Sequence, residues 1–358
     1  MSATITPMTT ADHHGERRVS SSSAGRSGPI PRTMRAAHAE RYGPPSVLAV
    51  RDVSVPTVGK GEVLVQVAAA GLSRAALHLL TGTPYLLRLA GFGLRAPKRA
   101  AGIEVAGTVV AVGAEVTRFA VGDEVFGYAP GSFAEFAVAK EQKLSRRPAA
   151  MPVTQAAALV DSASTALQAV RDHAAVQPGQ RVLVLGASGG VGSFAVQIAA
   201  ALGAEVTGTA STAKVDFVRG LGASDVVDHS TADPLATDRP YDVIIDGGGN
   251  RPVRALRRAL APAGTLVIVG GEGGGPITGG ILRQLLAPLR AIGSSQSLKM
   301  FTTKEHHGSL EDLVPLVADG SIAPAIDQVH PLADARVAME RMATGAICGK
   351  DVIEVSAV

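Results

Sequence analysis

The segment that most constrains the fold is Arg181–Leu202. Arg181-Val182-Leu183-Val184-Leu185 runs straight into Gly186-Ala187-Ser188-Gly189-Gly190-Val191-Gly192 and then into an apolar stretch of helical character. A short apolar run bounded by glycines reads as a strand buried on both faces. The glycines permit a tight turn and close approach of the backbone to a ligand. The helix that follows offers free N–H groups and the positive end of its dipole. Those are the parts of a phosphate-binding turn. Their place between a buried strand and a helix makes a dinucleotide fingerprint aligned on Ala187, Gly189 and Gly192. One competing reading uses the same residues: Gly186-x-Ser188-x-Gly190 fits a hydrolase nucleophile elbow, with His330 as its base. It leaves Gly192 without a role.

The rhythm around this segment supports the first reading. After about Val153, apolar strand cores occur at Val182–Leu185, Val206–Thr209, Val226–Val227, Val243–Ile245 and Leu266–Val269, with a weaker sixth at Ser297–Phe301. Helical stretches at Val191–Leu202, Ala213–Leu221 and Val253–Leu260 alternate with them. The expectation for 153–303 is therefore an α/β, doubly wound parallel sheet of the Rossmann type. Ligands of such sheets lie at the carboxyl ends of the strands. The cofactor-binding candidates are thus Gly186, Ala187, Ser188, Gly189, Gly190, Val191 and Gly192, then Gly247 and Gly248 after the fourth strand, and Gly270 and Gly271 after the fifth. An acidic residue that would hold an NAD ribose is missing from the second strand's end. Thr209, Ala210 and Ser211 stand there, and Glu205 lies at the strand's other end. Ser211 and Lys214 suit a 2′-phosphate through charge-assisted hydrogen bonds, so NADPH is the expected cofactor. Lys214 as a solvated helix residue is the alternative. His229, beyond the third strand, joins the cofactor set.

The remainder is built differently. Short strands at Val63–Val67, Val105–Val112 and Val121–Gly127 indicate a small β-barrel. The C-terminal part, with helices near Leu310–Val317 and Ala333–Met342 and strands near Ala325–Val329 and Lys350–Val355, is expected to pack back onto it. The predicted organisation is a disordered tail over 1–33, where Ser20–Ser23 sits among polar residues, one domain from 34–152 with 304–358, and a second over 153–303. Several functions drop out. With 3% aromatic residues and no Trp there is no stacking platform for single-stranded nucleic acid. The net charge of +3 is scattered along the chain. A single cysteine, Cys348, forms no intrachain disulfide and no multi-cysteine zinc site. No apolar run reaches the roughly 18 residues of a membrane span. The expected location is cytoplasmic and the expected partner a small-molecule substrate.

Gly61-Glu62-Val63-Leu64-Val65, Gly102-x-Glu104-x-Ala106-Gly107, Val121-Gly122-Asp123-Glu124-Val125, the Gly186–Gly192 loop and the closing Gly349-Lys350 resemble the medium-chain dehydrogenase/reductase superfamily, specifically its zinc-independent quinone oxidoreductase-like branch. The resemblance covers essentially Met34 to Val358. It implies a GroES-like β-barrel domain beside the Rossmann domain, an active site in the cleft between them, Lys350 near the cofactor, and a homodimer. Zinc-dependent members carry ligands where this chain has Ser73, Ile103 and Asp161, a set that makes no zinc site because Ile103 cannot ligate. The resemblance places Thr165 near the nicotinamide, and Ser73 supplies a hydroxyl. His78 stands where relatives have a substrate-side tyrosine and is a candidate proton donor; a helix residue that only packs or caps is the alternative. Tyr85–Arg95 is expected to form a flap over the substrate, with a membrane-touching patch as the alternative. The function implied is zinc-free, NADPH-dependent hydride transfer to a quinone, enone or enal. The alternatives are metal-free alcohol/carbonyl oxidoreduction and a non-catalytic NADPH-binding sensor.

Overall fold

In a computed structural model, residues 29–85, 88, 94–97, 99–270, 275, 277 and 293–355 are described. Gly271, residues 1–28 of the expected tail and most of the expected flap lie outside them. The first third is β-structure, as its short glycine-punctuated runs require. β1 (Thr33–His38) and β2 (Ala49–Ser54) pair antiparallel. β3 (Glu62–Gly71), β4 (Glu104–Val112), β5 (Glu124–Tyr128), β6 (Phe136–Lys140) and β7 (Leu144–Arg146) form most of a larger mixed sheet, with α1 (Arg74–Thr81) after β3. The strand expected from Val121 starts at Glu124 instead. Asp123 accepts the Ala120 amide through its side chain and holds Val121–Asp123 in a turn.

A helix the strand-by-strand reading passed over comes next: α2 (Val153–Leu167), begun by Pro152, with nearly every residue from Ala156 to Leu167 buried. Then the predicted alternation appears. β8 (Arg181–Leu185), α3 (Gly190–Ala201), β9 (Glu205–Ala210), α4 (Val215–Gly220), β10 (Asp225–Asp228), β11 (Tyr241–Asp246), α5 (Val253–Ala259), β12 (Leu260–Ile268) and β13 (Ser297–Met300) build a six-stranded parallel sheet. Its order, β10-β9-β8-β11-β12-β13, reverses direction between β8 and β11. That reversal is the crevice where doubly wound sheets take their ligands. The helix expected from Ala213 is a 3₁₀ turn over Thr212–Lys214 followed by the short α4.

The chain returns to the first sheet through α6 (His307–Ala318), β14 (Ile326–Pro331), α7 (Ala335–Thr344) and β15 (Lys350–Glu354). β15 pairs antiparallel with β3 and carries β14 in parallel on its outer side. Through this pairing the C-terminal segment joins the sheet that holds β3–β7. One large core joins α2 to both sheets: Phe126, Tyr128, Ala157, Val160, Val184 and Val352 belong to one buried apolar cluster. The two sheets are therefore wedged by a shared helix, and residues on α2 are fixed relative to both. No helix among the described residues is long and apolar enough to cross a membrane.

Candidate functional site

The glycine loop has the geometry its sequence demands. Gly186 has φ +74°, a conformation that costs a residue with a Cβ. A Cβ on Gly192 would lie 2.1 Å from the Gly186 carbonyl oxygen, so only glycine allows α3 to pass this close to the turn. α3 begins at Gly190, whose neighbours Gly189 and Val191 complete the helix entrance, and Gly189 N–H donates to the Gly186 carbonyl. Thr209 Oγ1 accepts the Gly186 N–H at 3.0 Å, and Ala187 N–H donates to the Thr209 carbonyl, tying the loop to β9. The later glycines meet it: Gly247 N–H donates to the Leu185 carbonyl, a Cβ on Gly186 would lie 3.4 Å from Gly248 N, and Gly270 N–H donates to the Asp246 carbonyl. Ser188 lies in the loop with its carbonyl accepting the Gly349 N–H. Gly186–Gly192, Gly247, Gly248 and Gly270 thus occupy one crevice. The nucleophile-elbow alternative gains nothing, because His330 is buried and joined to Asp351 at 2.9 Å, which also receives Arg341.

At the far end of β9, Ser211 opens the Thr212–Lys214 turn. Lys214 Nζ donates to the carbonyls of Gly345 and Ile347, both at 2.8 Å. His229 is exposed, and its amide donates to the Ala210 carbonyl, which sets it at this same corner. A carboxylate absent from the sequence argument is also here. Asp228, ending β10, accepts the Thr212 hydroxyl at 2.6 Å, and this bond, with the Ser230 amide, holds its pKa below the usual carboxylate range.

The floor of the crevice is α2. Lys350 Nζ is fully buried and donates to the Leu72 carbonyl (2.6 Å), Glu104 Oε1 (2.9 Å) and Ser162 Oγ (3.2 Å), and it also contacts Glu104 Oε2. Its ammonium is spent on this cluster. Only its stem reaches the loop, with Cδ 3.2 Å from where a Gly190 Cβ would stand. Glu104 Oε2 in turn accepts the Asp161 N–H at 3.0 Å. Asp161 is the partly exposed member of the buried run Val160–Ser164. Burial raises its pKa, as do the Glu104 and Glu305 carboxylates, while Lys350 and the Ser73 hydroxyl oppose them; the result is a carboxyl pushed up to about 7. Ser73 Oγ is buried beside it and makes no well-formed hydrogen bond. One turn further along α2, Thr165 Oγ1 and Thr303 Oγ1 are 2.7 Å apart, and Gln168 braces the same loop through both Lys304 backbone groups. His78 is half-buried on α1, where its Nδ1 donates to the Thr83 carbonyl at 3.0 Å. Sequence reasoning missed the Lys350–Glu104 pair, Thr303 and the orientation of Asp161. The one available signal was the alanine-rich run Ala156-Ala157-Ala158 before Asp161, which marks a helix pressed against other backbone.

The positions at which zinc-dependent relatives hold metal do not fit zinc here. Ile103 is a hydrocarbon, and Glu104 beside it is already neutralised by Lys350. Among the described residues no three His, Cys, Asp or Glu side chains are grouped to hold a metal ion.

Comparison with known proteins follows this geometry. Residues 59–149 match the model for the alcohol dehydrogenase GroES-like domain, and residues 221–353 match the model for zinc-binding dehydrogenase, a span that excludes Ser73, Ile103 and Asp161. A quinone oxidoreductase of Pseudomonas aeruginosa is 33% identical over 334 residues, which is 87% of this chain and 97% of that one. The chain belongs to the medium-chain dehydrogenase/reductase superfamily, on its quinone oxidoreductase-like branch. A chloroplastic quinone-oxidoreductase homolog of Spinacia oleracea is 32% identical over 71% of this chain and 79% of its own. A mycobacterial protein whose structure was solved complexed with NADPH superposes with a TM-score of 0.77 at 26% identity, covering 90% of this chain and all of that one. As a member of this superfamily with NAD(P)H oxidoreductase relatives, the chain uses a nicotinamide cofactor.

Proposed function

We propose that this chain is an NADPH-dependent reductase that transfers a hydride to a small quinone, enone or enal without a metal. The observation that carries the reading is the contact of the glycine loop with α2 and β15, where a Cβ on Gly190 would lie 2.7 Å from Ser162 Oγ and 3.2 Å from Lys350 Cδ, with Asp161 and Thr165 on the same helix. Bound NADPH supplies the hydride. Conjugated acceptors are electrophilic already, so they need orientation, exclusion of water and a hydrogen-bond donor more than they need a Lewis acid. The donor set at Ser73, Ile103 and Asp161 supports the metal-free reading. Ser211 and Lys214, with His229 at the same corner, support preference for the 2′-phosphate; Lys214 would exchange its two carbonyl acceptors for a dianion. Thr165 and Ser73 are the proposed substrate-side hydroxyls, and His78 a proposed substrate-side group. Homodimerisation and a cytoplasmic site of action belong to the same proposal. The test is oxidation of NADPH, followed by absorbance, against a panel of quinones, enones, enals and simple aldehydes. Turnover of the conjugated acceptors in metal-free buffer supports the reading. Turnover of simple aldehydes alone moves it to carbonyl reduction, and tight NADPH binding without any turnover moves it to a sensor.

A further inference from the structure

The reductase reading leaves half of the chemistry unassigned, because an acceptor that gains a hydride at carbon must also gain a proton at oxygen. His78 is a poor source. Its Nδ1 is committed to the Thr83 carbonyl at 3.0 Å. Asp161 is better placed. It is the partly exposed residue between buried neighbours on α2, one turn before Thr165 and within electrostatic reach of Glu104 on β4 and Lys350 on β15. Its backbone is pinned by Glu104 Oε2, and the pin is itself fixed by Lys350. The adjacent Ser73 Oγ is buried within reach of the Asp161 carboxyl and makes no well-formed hydrogen bond, so a polar group of a ligand would meet hydroxyl and carboxyl together.

We propose, resting on the reductase reading, that Asp161 is the proton donor of the reaction, with Ser73 Oγ holding the substrate oxygen beside it. The step balances. The acceptor forms a C–H bond with the incoming hydride, and the electron pair of its conjugated system ends on oxygen. That oxygen takes the proton from the Asp161 carboxyl, and water at the mouth of the crevice returns a proton to the carboxylate. The acceptor is reduced by two electrons and the nicotinamide is oxidised by two. The groups that face Asp161 are Glu104 on β4, Lys350 on β15, Glu305 ahead of α6, Ser73 ahead of α1 and Tyr128 on β5. Burial and two carboxylates against a single ammonium keep the proton on Asp161 near neutrality, where a general acid works best.

The test uses the full-length protein and Asp161→Asn, which keeps the shape of the side chain, with Ser73→Ala as a second variant. In the nucleotide-free protein, infrared difference spectra across pH are expected to show a protonated carboxyl band that titrates near pH 7 and is absent from Asp161→Asn. In turnover, Asp161→Asn is expected to lose about 10²–10⁴-fold in kcat, with NADPH affinity within about twofold of wild type, and the alkaline limb of the pH profile is expected to vanish. Ser73→Ala is expected to raise KM while keeping that limb. Retained NADPH affinity certifies that the variant is folded. An active wild type with an Asp161→Asn of unchanged kcat and pH profile, or a carboxyl band that persists in Asp161→Asn, overturns the proposal alone. A wild type inert on the whole acceptor panel overturns the reductase reading and this proposal with it.

Discussion

Lys350→Met tests how much the buried Lys350–Glu104 pair contributes to stability. Lys350 and Glu104 are 1% and 0% exposed and 2.9 Å apart, on β15 and β4, the two strands that flank β3 in one sheet. The ammonium has three protons and finds acceptors on Leu72, Glu104 and Ser162, so its hydrogen-bonding capacity is filled. Methionine keeps the unbranched stem that packs under Gly190 but removes the charge. Glu104 is then a buried carboxylate left with the Asp161 N–H as its remaining hydrogen bond from this cluster. Breaking a buried pair from one side costs about 3–5 kcal/mol, which for a chain of this size corresponds to a fall in Tm on the order of 10 °C. Removing both charges, Lys350→Met with Glu104→Gln, leaves no orphaned ion and is expected to recover most of the loss. Calorimetric melts of the four proteins of this cycle give the coupling directly. A single variant within about 1 kcal/mol of wild type, or a double variant no more stable than the single, would refute the reasoning.

Further outcomes follow from the same geometry. Gly192→Ala pushes a Cβ into the Gly186 carbonyl at 2.1 Å, and because the obstacle is backbone, dinucleotide affinity is expected to fall at least tenfold by fluorescence titration. Lys214→Ala is expected to weaken NADPH by about tenfold to a hundredfold, the worth of one or two charge-assisted bonds, and to leave NADH unchanged; equal losses for both would remove Lys214 from the 2′-phosphate site. Asp161 also carries a pH signature. Its folded pKa of about 7 lies above the unfolded value of about 3.9, so the native state holds the extra proton between those values. Its stabilising contribution is complete below about pH 4 and is lost as pH rises through 7. Urea midpoints of Asp161→Asn are expected to lack that decline, and parallel pH curves for the two proteins would contradict it. His78→Phe is expected to lower kcat far less than Asp161→Asn, since His78 is committed to the Thr83 carbonyl.

The parts of the fold legible in the sequence are those whose signal is local. The six strand cores and the glycine turn announce themselves because a strand buried on both faces must be a continuous apolar run and a pyrophosphate cradle must be glycine. The pairing of β15 with β3 was not among them; the C-terminal part was expected only to pack onto the first domain. What escaped was long-range. α2 is fully wrapped between two sheets, so it shows little amphipathic periodicity, and its alanines reflect close backbone approach rather than a face. Glu104 and Lys350 are 246 residues apart, and no local pattern pairs them. The 2′-phosphate reading rested on Ser211 and Lys214 and passed over Asp228, which reaches Thr212 only once β10 lies beside β9. Thr165 was placed through resemblance, and its partner Thr303 follows only from the fold.

The most direct test of the central claim is titration of the purified protein with NADPH and with NADH, followed by nicotinamide fluorescence, alongside Gly192→Ala. The account predicts saturable NADPH binding, weaker NADH binding, and loss of both in Gly192→Ala. Absence of binding of either dinucleotide to the wild type would contradict it.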